Sequence, residues 1–158
     1  MLLFNDCVNA ENLMPQISRT ALVPYSAEQM YQLVNDVDAY PQFLPGCTGS
    51  RILDSSPTEM TAAVDVSKAG ISKTFTTRNT LEANKSILMH LVDGPFKSLN
   101  GGWTFSPLSS NACRVEFQLN FEFTNKLIEL AFGRIFKELA ANMVQAFTHR
   151  AKEVYRAG

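Results

Sequence analysis

Residues 113–123 read CRVEFQLNFEF and alternate without a break. Cys113, Val115, Phe117, Leu119, Phe121 and Phe123 fall on one side, and Arg114, Glu116, Gln118, Asn120 and Glu122 on the other. Side chains along a strand point to opposite faces in turn, so the pattern predicts an antiparallel strand with one apolar and one wet face. The period then changes. Thr124 has the chemistry of an N-cap, and Ile128, Phe132, Ile135, Phe136, Leu139, Met143, Phe147 and Val154 follow on one helical stripe. Arg134, Lys137, Glu138, Gln145, Lys152 and Arg156 lie mostly opposite. One long helix to about Tyr155 is predicted. At about 1.5 Å per residue, about 30 residues span roughly 45 Å, enough to cross a whole sheet.

Upstream, from Gly46, the alternation recurs. Met60, Ala62, Val64 and Val66 alternate with Thr61, Ala63, Asp65 and Ser67, and Ile71, Lys73, Phe75 and Thr77 face opposite to Ser72, Thr74, Thr76 and Arg78. Ala69-Gly70 between these runs predicts a tight hairpin, and Asn84-Lys85 the next turn. Asp93-Gly94-Pro95 closes the strand over 87–92. Asn100-Gly101-Gly102, inside the run from Phe96 to Phe105, predicts a bulge or sharp bend.

Before the sheet, Ile17 to Val23 is a β-rich run ended by Pro24, and Ser26 with Gln29 three residues on reads as a capping box. The helix it opens carries Met30, Leu33, Val34 and Val37. Then comes Tyr40-Pro-Gln-Phe-Leu-Pro-Gly-Cys47. Proline fixes its own φ and pushes the preceding residue out of the helical region, so this is a stiff connection that still carries large apolar side chains. It is expected to cover something. Helices at the two ends of an antiparallel run define an α+β fold. A curved sheet of about six to seven strands can wrap the terminal helix, and the space between them is the natural cavity. Residues 15–158 are expected to form a single domain and residues 1–14 a loose extension, with Met14 a possible natural start.

With 158 residues, net charge −1 and 18% charged residues, the chain has ordinary globular composition and no overall basic field to steer it to nucleic acid. Cys7, Cys47 and Cys113 are isolated, which fits reduced structural thiols in the cytosol. His90 and His149 have no cysteine or carboxylate at metal-ligand spacing, so no metal site is expected. No nucleophile elbow or phosphate-binding loop occurs. Asp36, Asp38 and Asp65 read as solvated charges at turns and strand faces rather than as acid–base groups. The positive signal is apolar: eleven phenylalanines, six methionines and one tryptophan. They fill a core, or they line a cavity for an apolar ligand.

Several segments resemble the START-like, or helix-grip, superfamily, and within it the coenzyme Q-binding and polyketide-cyclase-like family. They are Val23-Pro-Tyr-Ser-Ala-Glu-Gln-Met-Tyr31, the Tyr40–Cys47 segment, Lys73-Thr-Phe-Thr-Thr77, Gly94-Pro-Phe-Lys97 with Gly102-Trp-x-Phe105, and Phe121-x-Phe123. The resemblance runs from about Pro15 to Arg156, and Tyr-Pro-x-Phe-x-Pro-x-Cys is its most specific part. It implies a protein that acts by binding and has no catalytic residues. Two activities are implied: holding ubiquinone or a similar polyprenyl lipid in the cavity in support of respiration, or binding the large ribosomal subunit and blocking its joining with the small one. The cavity walls would be Phe43, Leu44, Pro45, Val64, Phe75, Met89, Trp103, Phe117, Phe121, Phe132, Phe136, Leu139 and Met143, with Lys73 and Thr77 as polar contacts near the mouth. Lys97, Arg134, Lys137, Arg150 and Lys152 would face a ribosome. The alternative is a polyketide cyclase or dehydrase, for which His90, Asp65 and Glu116 are the arguable acid–base groups.

Overall fold

The computed structural model describes residues 16–155. The expected extension over 1–14, with Cys7, lies outside them. Seven strands form one antiparallel sheet: β1 (Gln16–Val23), β2 (Cys47–Ser55), β3 (Glu59–Lys68), β4 (Ile71–Glu82), β5 (Ser86–Asp93), β6 (Phe96–Ser109) and β7 (Ala112–Phe123). Their spatial order is β1-β7-β6-β5-β4-β3-β2. Six strands follow one another as a meander, and β1 closes on β7, pairing Gln16 with Asn120 and Val23 with Cys113. Between β1 and β2 lie α1 (Ala27–Asn35) and a 3₁₀ helix (Val37–Gln42). The curved sheet grips the C-terminal helices, which is the helix-grip architecture.

Local chemistry explains each boundary. The Ser26 Oγ accepts from the Gln29 N–H at 3.1 Å, and the Gln29 Oε1 accepts from the Ser26 N–H at 2.9 Å, so α1 starts with a complete capping box. Ala69 and Gly70 both have positive φ, 55° and 84°, the backbone of a two-residue hairpin whose twist matches the strands. The β7 alternation holds throughout: Cys113, Val115, Phe117, Leu119, Phe121 and Phe123 are all buried.

The glycine pair in β6 is a bend of close approach, without a register shift. A Cβ on Gly101 would stand 2.1 Å from the Gln118 carbonyl oxygen, and one on Gly102 would stand 2.4 Å from that of Ile87. Neighbouring strands therefore close in from both sides where a side chain would otherwise hold them off. Gly101→Ala is expected to cost about 1–3 kcal/mol, the scale of overpacking in a tight core, because the obstacle is backbone and cannot rotate away. Chemical denaturation measures this, and an unchanged midpoint contradicts it.

The terminal helix differs from its expectation in two ways. It begins one residue later, because the Thr124 N–H still donates to the Pro95 carbonyl at 3.1 Å. Asn125 is the cap, its Oδ1 accepting from the Ile128 N–H at 2.9 Å. It is also two helices, α2 (Lys126–Ala141) and α3 (Met143–Val154). The Asn142 side-chain amide donates to the Glu138 carbonyl at 2.9 Å, competing with the main chain for an acceptor that helix continuation uses.

Inside the grip the phenylalanines form a connected cluster. Phe136 is its hub, with ring centroids 4.8 Å from Phe96, 5.0 Å from Phe121 and 5.6 Å from Phe75. A second group joins Trp103, Phe117 and Phe147, with Phe147 5.3 Å from both Trp103 and Tyr40.

Candidate functional site

Between the two aromatic groups the packing is incomplete. A cavity of about 60 Å³ lies under α2, bounded by the inner faces of β3 to β7, the 3₁₀ helix and the start of α3. Its walls include Leu44, Val64, Phe75, Met89, Trp103, Phe117, Phe136, Leu139 and Met143, all expected from the sequence. Thr77 also faces it. Val37, Tyr40, Ala62, Asn79, Leu99, Leu119 and Ala140 complete the lining, and sequence reasoning missed them. The strand periods place Ala62, Leu99 and Leu119 inward, so that signal was present. Tyr40 was hidden because its position depends on how the two-proline segment folds back.

Four expected wall residues lie elsewhere. Phe121 and Phe132 are fully buried, but they pack against Phe96, Phe123 and Phe136 and do not line the cavity. Phe43 is half-buried, edge-on to Tyr40 and to Phe147, and does not line the cavity. Pro45 is exposed and borders an outer depression with Lys68, Ile135 and Glu138. Lys73 occupies an inward position on β4 one step nearer the hairpin than Phe75, half-buried, and does not line the cavity.

Polar chemistry in the lining is sparse and internally spent. The Thr77 Oγ1 donates to the Asn79 Oδ1 at 2.9 Å, and both residues border the cavity. The Tyr40 hydroxyl donates to the Val34 carbonyl at 2.5 Å. Burial pushes the Tyr40 phenol far above its ordinary value, with Cys47 and Asp36 adding to the shift, so it stays a neutral donor. Cys47 and Cys113 are buried free thiols whose pKa burial raises, which makes them poor nucleophiles.

The three acid–base candidates all sit off the cavity. His90 and Glu116 are exposed on the outer face of the sheet, beside a shallow polar depression of about 440 Å³ above Gly101 and Gly102. Asp65 is on that outer face too. Hydrogen bonds from Arg51 at 3.0 Å and Thr74 at 2.6 Å hold its carboxyl below the usual carboxylate range. Among the described residues no cluster of three or more His, Cys, Asp or Glu is placed to hold a metal ion.

The two-proline segment roofs one end of the cavity through Tyr40 and Leu44, and Arg150 fastens it to α3. The guanidinium donates to the Gln42 Oε1 at 2.9 Å, stands 5.0 Å from the Phe43 ring centroid and pairs with Glu153 at 3.7 Å. Arg150 is therefore committed inward, contrary to its expected place on a ribosome-facing surface. Of the other basic residues, Lys97 pairs with Glu122 at 3.5 Å and Arg134 with Glu138 at 3.9 Å. Lys137 and Lys152 are exposed. Arg150→Ala is expected to cost about 1–2 kcal/mol, combining a cation–π contact with a hydrogen bond from a charged donor. Arg150→Lys restores little of it, because an ammonium lacks the planar fork. Thermal denaturation of the two variants checks this, and equal stability of Arg150→Lys and the parent protein contradicts it.

The sequence pattern described as "polyketide cyclase / dehydrase and lipid transport" matches residues 23–148, most of the chain. The chain belongs to this START-like family. Among the family's curated proteins, "Ribosome association toxin RatA" of Escherichia coli K12 is 80% identical over 157 residues, 99% of each chain. A more distant relative, "Coenzyme Q-binding protein COQ10 homolog B, mitochondrial" of Xenopus laevis, is 28% identical over 144 residues, 89% of this chain and 59% of its own. The solved START superfamily protein of Mycobacterium smegmatis shares 25% identity with a TM-score of 0.72, covering 88% of this chain and 98% of that one. The Zhui aromatase/cyclase from a Streptomyces species superposes with a TM-score of 0.79 over 91% of this chain and 97% of its own, at 17% identity, a likeness of fold alone.

Proposed function

We propose that this protein is a non-enzymatic binder that holds a polyprenyl quinone, ubiquinone or a close analogue, in the cavity between the sheet and α2, in support of respiration. The observation that carries the reading is the enclosed apolar lining with one buried polar pair. An isoprenoid chain suits such walls, each buried CH₂ contributing about 0.8 kcal/mol. The Asn79 amide, held by Thr77, offers a donor of the kind a quinone carbonyl accepts. The similarity to a coenzyme Q-binding protein supports the ligand class.

At about 60 Å³ the cavity is smaller than sites for small molecules, which occupy about 300–1,000 Å³, so binding requires it to widen. Opening is expected where the helix is already interrupted, at Asn142. The 3₁₀ helix and α3 are tied together through Tyr40, Phe43, Phe147 and Arg150, so they would move as one roof. The test is mass spectrometry of an organic extract of protein purified from its own host. A stoichiometric quinone is expected, and absence of any lipid together with no binding on titration overturns the reading.

A second activity, binding the large ribosomal subunit in the cytoplasm and blocking subunit association and hence translation, is favoured by the 80% identity to a protein named as a ribosome association toxin. Sedimentation of ribosomes with added protein tests it. Depletion of the joined ribosome peak is expected, and unchanged profiles without co-sedimentation reject it. A cyclase or dehydrase reading has less support, because the cavity is lined without a carboxylate, imidazole or amine among the described residues.

A further inference from the structure

The outward face of α2 carries two leucines left exposed among the described residues. Leu127 is 74% exposed and Leu130 75%, while Phe132, Phe136, Leu139 and Ala140 on the opposite face are buried against the sheet. Successive helical residues turn by about 100°, so Leu127, Leu130, Arg134 and Lys137 share one face, with Lys126 at its edge. All three of these basic residues are exposed. The acidic neighbours pair with these cations and with Lys68: Glu138 lies 3.3 Å from Lys68 and 3.9 Å from Arg134, and Glu129 3.8 Å from Lys126. Lys68, Lys126, Arg134 and Lys137 thus outnumber Glu129 and Glu138, and the patch is net positive on a chain whose total charge is −1.

We infer that this face docks on an anionic lipid bilayer. Exposed leucines ringed by lysine and arginine are the composition of a helix that lies in a membrane interface, its apolar side chains among the acyl chains and its cations at the headgroups. The leucines decide between the two polyanions such a patch can meet. Against RNA they would face phosphates and gain nothing, whereas against a bilayer they are buried. Among the described residues no helix is long and apolar enough to cross a membrane, so the contact is peripheral. The inner face of the same helix is a wall of the cavity, through Phe136, Leu139 and Ala140. Docking thus brings the cavity wall to the phase in which a polyprenyl lipid resides. That purpose rests on the lipid-binding reading, but the docking itself is read without any ligand.

The experiment is flotation of the lipid-extracted full chain with vesicles of phosphatidylcholine alone or mixed with phosphatidylglycerol. Binding is expected to the anionic vesicles, to weaken at high salt, and to fall at least tenfold in the double variant Leu127→Ser/Leu130→Ser. Both positions are exposed, so its thermal stability should match the parent and serves as the folding check. Replacing Lys126, Arg134 and Lys137 with glutamine should abolish the preference for anionic lipid. No binding to anionic vesicles, or binding indifferent to the leucines, overturns the inference. So does loss of large-subunit co-sedimentation in the leucine variant with vesicle binding retained, which would assign the face to the ribosome. Quinone content of the untreated protein is measured separately, so failure to dock and failure to hold a quinone are distinct results.

Discussion

Phe136→Ala is expected to destabilise the protein by about 3–5 kcal/mol, the range for truncating a buried aromatic. Phe136 is 1% exposed and is the hub of the larger aromatic cluster, reaching Phe75, Phe96, Phe121, Phe123 and Phe132. The cost has two sources. Transfer of the ring is lost, and the hole left behind adds about 24 cal/mol per Å³ of whatever volume does not collapse. Collapse is hindered here because the ring already borders a cavity of about 60 Å³, and the new hole merges with it. Domains of this kind have a total stability of about 5–15 kcal/mol, so the variant stands near the folding threshold. Phe136→Leu keeps most of the volume and is expected to cost less than about 1.5 kcal/mol. Leu127→Ala, on the exposed face of the same helix, should stay within about 0.5 kcal/mol. Urea denaturation of the three variants measures the series. A Phe136→Ala loss below that of Phe136→Leu contradicts the hub assignment.

The fold was legible because its strongest signals are periodic. Eleven residues of unbroken alternation leave β7 no choice of face, and the inward set of β3 and β4 follows the same rule. The capping box at Ser26 and the Ala69-Gly70 hairpin are local motifs whose geometry is set within a few residues, so no tertiary information was needed. What the sequence concealed is where distant segments settle on each other. Phe43 and Tyr40 are three residues apart in a stretch stiffened by Pro41, and nothing local says which ring turns inward. The contacts that seat Phe43 come from α3, more than 100 residues further along: Phe147 at 5.1 Å and the Arg150 guanidinium at 5.0 Å from its ring. Phe121 and Phe132 carry the right chemistry for a cavity wall, yet they meet other rings and leave no space. Periodicity assigns a face and cannot tell filled volume from empty volume. The break at Asn142 was equally hidden, since the apolar stripe continues across it at helical spacing.

Ala140→Leu separates a ligand site from a packing defect. Ala140 is 1% exposed, lies on the inner face of α2 and borders the cavity. Leucine is as compatible with the helix as almost any residue, so the backbone gains no strain of its own. Its three additional carbons project into the space that a ligand must use. If the cavity is only imperfect packing, the variant retains whatever lipid the parent carries, because that lipid resides elsewhere. If the cavity is the ligand site, quinone recovered by extraction is expected to fall at least tenfold, a difference of about 1.4 kcal/mol in binding. Overpacking costs about 1–3 kcal/mol where the neighbours cannot yield, which leaves the fold intact in a domain of ordinary stability. Far-ultraviolet circular dichroism and a cooperative melt confirm that folding is retained. Quinone occupancy equal to the parent in a folded variant rules out this cavity as the binding site. Ribosome sedimentation with the same variant separates the two activities: a filled cavity with undiminished subunit binding places ribosome recognition on the surface of the grip and independent of its contents.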